Sequence, residues 1–153
     1  MKKLTIKRIF DTPIDKVWDS FTIPELLQKW WSPEGMNSSH ISLDLKKGGL
    51  FRFCFKGSDG SEFWGRGVYQ NISKPTHLSY LDTFSDEMGN PVPPSHFGLP
   101  GDKIIEALVE FSFLEHGNKT EMIITGDNYF DDSMTEDTTK GWNSMFDKLH
   151  SIL

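Results

Sequence analysis

The side chains best able to do chemistry in this sequence are few, and they do not gather into a catalytic pattern. Asp82 lies in a run that alternates as Leu78, Tyr80, Asp82 and Phe84, and Glu106 and Glu110 sit in a later alternating run. A carboxylate enclosed by apolar groups has a raised pKa and can move protons. Asp82 shares the parity of Leu78, Tyr80 and Phe84. It therefore faces either an enclosed space or, like Glu106 and Glu110, water on the outer side of a sheet. Cys54 falls on the face opposite Phe53 and Phe55 with no obvious base nearby, so an unreactive thiol is expected. His40, His77, His96, His116 and His150 are scattered without metal-ligand spacing, and a lone cysteine does not make a structural zinc site. Gly48-Gly49 lacks the helix and Lys-Ser/Thr pair of a phosphate loop and reads as a hairpin turn. No nucleophile elbow is present. No catalytic residue, metal or cofactor is expected.

Aromatic residues give the stronger signal: the chain holds 12 Phe, 5 Trp and 3 Tyr. Phe53, Phe55, Phe63, Tyr69, Tyr80, Phe84, Phe111 and Phe113 fall on one strand parity. Trp142, Met145, Phe146, Leu149 and Ile152 or Leu153 recur at helical spacing and form one apolar stripe. Such a set either fills a solid core or lines a pocket, and tyrosine hydroxyls in a core need partners that a ligand or water can supply. Trp30-Trp31 either borders the mouth of such a pocket or pins the short helices near it.

The elements that position these residues are well punctuated. Residues 3–10 alternate as a strand, with Leu4, Ile6, Arg8 and Phe10 on one face. Thr12-Pro13-Ile14-Asp15 predicts a helix start with Thr12 as cap, and Pro24 starts a second short helix that ends at Pro33-Glu34-Gly35. Strands follow through Ile41–Leu45, Phe51–Phe55, 62–72, His77–Phe84, Ile105–Phe113 and Thr120–Thr125, with turns at Gly48-Gly49, Asp59-Gly60 and Gly117-Asn118. Gly65 and Gly67 suggest a bend or bulge. The stretch from Ser85 to Asp102, with Pro91, Pro93, Pro94 and Pro100, is too long for a hairpin loop and suggests a lid or a disordered tip. Ser133-Met134-Thr135-Glu136 is a capping-box pattern opening the last helix. Gly141, inside that helix, costs about 1 kcal/mol against Ala, which a close approach to the sheet would explain.

The totals agree with one domain covering residues 1–153 and burying roughly 70% of its unfolded surface. A net charge of -6 argues against a nucleic-acid partner, since Lys2, Lys3, Lys7 and Arg8 form only a short basic cluster. No segment has the length of a membrane span, the N-terminus lacks a signal-type apolar run, and Cys54 cannot form an internal disulfide. A cytoplasmic location is expected.

Five stretches in order then resemble one superfamily. They are Ile14-Asp15-Lys16-Val17-Trp18, Leu27-Gln28-Lys29-Trp30-Trp31-Ser32-Pro33, Lys47-Gly48-Gly49-Leu50-Phe51-Arg52-Phe53, Gly65-Arg66-Gly67-Val68-Tyr69, and Lys140-Gly141-Trp142 with Phe146-Asp147-Lys148-Leu149. The chain resembles the START-like, or SRPBCC, helix-grip superfamily, in its activator-of-heat-shock-protein-90-ATPase-homologue-like branch. It departs in having Ile23 where an acid or polar cap commonly precedes the proline of the second helix.

The resemblance implies an α+β fold: a curved antiparallel sheet of about seven strands wrapped on a long C-terminal helix, with two short helices after the first strand and a cavity between sheet and helix. The expected function is binding of a small hydrophobic or amphipathic ligand, such as a lipid, by Trp30, Phe53, Phe55, Phe63, Tyr69, Tyr80, Asp82, Phe84, Phe111, Trp142, Met145 and Phe146. One alternative is a stress-related interaction module acting on a chaperone ATPase, implied by the family name. Another is a cavity enzyme, such as a cyclase or hydrolase, relying on Asp82.

Overall fold

Alternating side chains separated by tight turns give strands that pair with their sequence neighbours, and this rule orders most of the molecule. The computed structural model of the chain describes residues 3–127 and 135–153. Strands β2 (Met36–Leu43), β3 (Leu50–Gly57), β4 (Glu62–Ser73), β5 (His77–Phe84), β6 (Ala107–His116) and β7 (Lys119–Asp127) form an antiparallel meander. Strand β1 (Lys3–Phe10) pairs antiparallel with β7, giving the sheet order β1-β7-β6-β5-β4-β3-β2. Because β1 and β2 lie at opposite edges, the chain between them must cross the sheet. Helices α1 (Ile14–Thr22) and α2 (Pro24–Leu27) make that crossing. Helix α3 (Thr135–Ile152) packs against the concave side. This is the expected α+β helix-grip arrangement, with its curled seven-stranded sheet and two short helices after β1.

Several local details differ from the sequence reading, each for a physical reason. Thr12 does not cap α1: Pro13 occupies the N-cap position with no side-chain cap bond. Thr12 is instead buried beside β7, where its carbonyl accepts the Thr120 hydroxyl at 2.7 Å. Strand β2 ends at Leu43, and β6 begins at Ala107. Gly65 and Gly67 are not the bulge of β4, which falls between Tyr69 and Asn71. They allow close approach instead. A Cβ at Gly65 would overlap the Phe53 ring, and one at Gly67 would stand 2.8 Å from Tyr80 Cδ2. Ser133 and Met134 of the capping-box pattern lie outside the described residues.

The core is a continuous aromatic layer. Phe21 of α1 meets Trp30, Phe111 and Phe113 with ring centroids 4.8, 4.9 and 5.0 Å apart, all edge-on. Edge-to-face contacts add about 0.5–1.5 kcal/mol to the area that each ring buries. Trp30 is fully buried, its indole N–H donating to the Ser20 carbonyl at 2.8 Å.

Polar clamps hold α3 on both flanks. Arg8 lies on the inward parity of β1, where a charge needs partners. It reaches α3 to bond Asp147 at 2.8 Å and Asn143 at 3.3 Å. On the other flank, the Lys148 ammonium donates to Ser32 Oγ at 2.8 Å and to the Pro33 and Met36 carbonyls at 3.1 and 2.9 Å. The sequence pattern puts Lys148 on the polar side of the helix; in the fold that side is half-buried against residues 32–36.

Lys148→Met keeps the stem but removes three hydrogen bonds. It is expected to lower stability by roughly 1.5–3 kcal/mol, the range for hydrogen bonds to a charged group. Arg8→Leu, which removes a pair whose Asp147 side chain is 71% exposed, should cost less, about 0.2–1 kcal/mol. Urea unfolding of the two variants measures the order.

Candidate functional site

A gap lies between the sheet and α3 where the aromatic rows do not meet. On the inner face Asp82 stands directly between Gly67 and Ala107 of the neighbouring strands, and Phe53 is paired through Gly65 with Phe84. Over this region α3 presents Gly141, and a Cβ built there would meet nothing within 4 Å. The close approach expected of Gly141 is thus not found; its missing side chain borders open space. The result is a cavity of about 280 Å³, near the lower end of small-molecule sites.

Its wall comes from four parts of the fold: Trp31 and Pro33 after α2; Phe53, Phe55, Phe63, Trp64 and Gly65 of β3 and β4; Tyr80, Asp82, Thr83 and Phe84 of β5; and Thr138, Gly141, Trp142 and Met145 of α3. Eight of the twelve residues proposed from sequence therefore meet at one place: Phe53, Phe55, Phe63, Tyr80, Asp82, Phe84, Trp142 and Met145. The other four stand elsewhere. Trp30 and Phe146 are packed in the core, with ring centroids 6.3 Å apart. Tyr69 and Phe111 border a separate void of about 10 Å³ deeper in the core. Parity placed them on the inner face correctly, but α1 and α2 cover that part of it.

Trp31 occupies the place that the sequence reading gave to Trp30. Adjacent residues in a helical turn cannot share a face, and Trp30 is the one turned toward Ser20. Trp31 has ring neighbours on every side: Phe51 at 5.3 Å, Phe53 at 5.8 Å, Tyr80 at 6.5 Å and Trp142 at 5.7 Å. Its indole nitrogen is buried and has no hydrogen-bond partner among the described residues.

The Pro-rich segment after β5 is folded back on the sheet. Ser85 bridges Pro91, and Pro94–Phe97 makes a short 3-10 turn. That turn sets Phe97 5.5 Å from Phe63 and 5.7 Å from Phe84, behind two rings of the cavity wall. Arg52 and Arg66, neighbours on the convex face, donate to the Glu87 and Gly89 carbonyls at 2.6 and 3.0 Å. The Asp86 carboxylate caps the turn by accepting the Met88 and Asn90 amides, and such bonds hold its pKa below the ordinary value. Phe97 carried no sequence signal, because a segment of turns has no period.

The titratable groups near the cavity are shaped by burial. Burial pushes the Tyr80 phenol well above its ordinary value, with the Asp82 carboxylate and then Tyr69 adding to the shift. Tyr69 is raised by burial alone. The Cys54 thiol, buried on the convex face, is raised chiefly by loss of solvent, which lowers the share of thiolate that a nucleophile needs. Among the described residues no cluster of His, Cys, Asp and Glu is able to hold a metal ion, and no helix is long and apolar enough to cross a membrane.

Comparison with known proteins places this geometry in context. The family model described as "Activator of Hsp90 ATPase homolog 1-like protein" matches residues 11–153. Among solved structures, protein Ms6760 from Mycobacterium smegmatis is similar with 23% identity and a TM-score of 0.79, over 98% of this chain and 89% of that one. Protein CV1439 from Chromobacterium violaceum is similar with 18% identity and a TM-score of 0.82, over 100% and 98%. The AHSA1 protein from Silicibacter pomeroyi is similar with 19% identity and a TM-score of 0.77, over 98% and 96%. At these identities the structures show a shared fold. No match was found among curated proteins.

Two expectations follow from the cavity wall. Gly141→Ala gains helix propensity without a clash, so it should stabilise the protein by about 1 kcal/mol in thermal or urea unfolding. The tyrosines set an alkaline limit. Below about pH 10 both folded and unfolded chains keep the phenol protons; above it the unfolded chain loses them while Tyr69 and Tyr80 retain theirs. Stability should therefore fall as pH rises from about 10, and the fall should be shallower in Tyr69→Phe, as read from Tm across that range.

Proposed function

We propose that this chain, which belongs to the Activator of Hsp90 ATPase homolog 1-like family, holds a small apolar or amphipathic molecule between its sheet and α3. The carrying observation is the cavity of about 280 Å³ bordered by Gly141, where the helix forgoes a side chain and gains no packing in return. An open, ring-lined space of this kind supports recognition mainly by burial of apolar area, at about 25 cal/mol per Å². The rings of Trp31, Phe53, Phe55, Phe63, Phe84 and Trp142 supply the surface, and Asp82 and Tyr80 are its titratable groups.

An enzyme working in this cavity needs a proton donor and a proton acceptor of matched pKa. Tyr80 is held protonated far above neutral pH, which leaves Asp82 as the one carboxylate among the described residues of the wall. The binding reading therefore has the better support. The chaperone-ATPase reading rests on the family description, and a shared fold does not transfer a partner.

The test is thermal unfolding and dye fluorescence with a polarity-sensitive naphthalene probe and a panel of compact lipids and polyketides. A ligand at about a hundredfold excess over its Kd should add about 2.7 kcal/mol of stability. Gly141→Phe, which places a ring in the open space, should abolish the fluorescence gain while the variant still unfolds cooperatively. Absence of a Tm shift with every compound, or equal dye binding by Gly141→Phe, overturns the proposal.

A further inference from the structure

The space between the sheet and α3 has a definite inner end. Trp31 and Tyr80 line both the cavity of about 280 Å³ and the deeper void of about 10 Å³, and so stand between the two. The rest of the void's wall is Phe21, Leu27, Phe51, Tyr69, Leu78 and Phe111, none more than 3% exposed. A flexible chain entering the cavity therefore meets closed core there rather than a channel leading onward.

The wall is also stiff. Among the described residues that line it, eight are aromatic, and Pro33 and Met145 are the other large apolar side chains. Trp31 meets Phe53, Tyr80 and Trp142 edge-on, at interplanar angles of 77°, 65° and 74°. Phe97 backs Phe63 and Phe84 from behind. An aromatic side chain has two torsions and is held by such neighbours, whereas methionine bends to suit its guest. Forcing extra volume against a packed wall is unfavourable. A wall of this kind discriminates by size.

An apolar cavity of about 150 Å³ accepts one benzene ring. The space here is nearly twice as large, which is room for two fused rings and not for three. An acyl chain fills the same space with about ten carbons, and further methylenes gain nothing because they stay in water. A flat aromatic guest adds edge and face contacts with the surrounding rings that an alkyl chain does not make.

Resting on the binding reading above, we propose that the buried part of the occupant is a flat unit of two fused rings, a bicyclic arene or heteroarene. Three-ring molecules are too large for the site, and long acyl chains are not its preferred guests.

The experiment compares benzyl alcohol, naphthalenemethanol and anthracenemethanol, which share one polar group, and decanoate with myristate, which share another. Affinities are read by displacement of the naphthalene dye from the native protein. Naphthalenemethanol should bind about tenfold more tightly than either neighbour in its series. Myristate should bind no more tightly than decanoate. Gly141→Leu fills part of the space, so it should move the optimum from two rings to one. Should that variant fail to fold, the two series on the native chain decide. Affinity that climbs steadily from one ring to three, myristate binding about tenfold more tightly than decanoate, or a ring preference unmoved by Gly141→Leu would overturn the assignment of a two-ring guest. The first two outcomes leave the cavity reading standing. If none of the probes binds, the cavity reading falls and this inference falls with it.

Discussion

The position of α3 is fixed at its flanks rather than at its centre, and the cavity follows from that. Arg8 holds one side through Asn143 and Asp147, and Lys148 holds the other through the turn at residues 32–36. Phe146 and Leu149 anchor the C-terminal half of the helix in the core. Toward its N-terminal half the layers part, and there Gly141 borders open space. A helix fastened only by its apolar stripe would be free to settle onto the sheet. One gripped from both sides is held above it.

The comparisons sharpen this point. Chains 18–23% identical to this one share its topology over nearly their whole length. At such identities most side chains differ while the fold persists. Pattern is enough to define a curled sheet under a helix. The chemistry of the hollow depends on individual side chains, and these are free to change while the pattern persists.

The same distinction explains what the sequence revealed. Period-two alternation and glycine turns made the strands legible, and α3 was legible from Trp142, Met145, Phe146 and Leu149. Parity also assigned the inner face correctly from Phe53 through Phe113. It did not say which inner residues would be covered by α1 and α2, so Tyr69 and Phe111 were grouped with residues that line the cavity. A dipeptide such as Trp30-Trp31 gives no phase by itself; the Ser20 carbonyl decides which indole turns away. Thr12 looked like a helix cap because capping is a local rule, yet a long-range bond from Thr120 claimed its carbonyl. Gly141 was read as making room for the sheet, when in the fold it makes room for nothing in the protein.

The tether of the Pro-rich segment has an evolutionary consequence. Arg52 and Arg66 grip main-chain oxygens of residues 87 and 89, which any amino acid supplies. Gly89 is the more constrained of the two, since its φ is +90° and a Cβ there would lie 3.1 Å from Arg52 Nε. Elsewhere along the segment, substitutions leave both handholds intact. The segment can therefore diversify by drift while still delivering an aromatic ring behind Phe63 and Phe84. A chain built this way is able to retune what stands behind the wall of its chamber without rebuilding the wall itself.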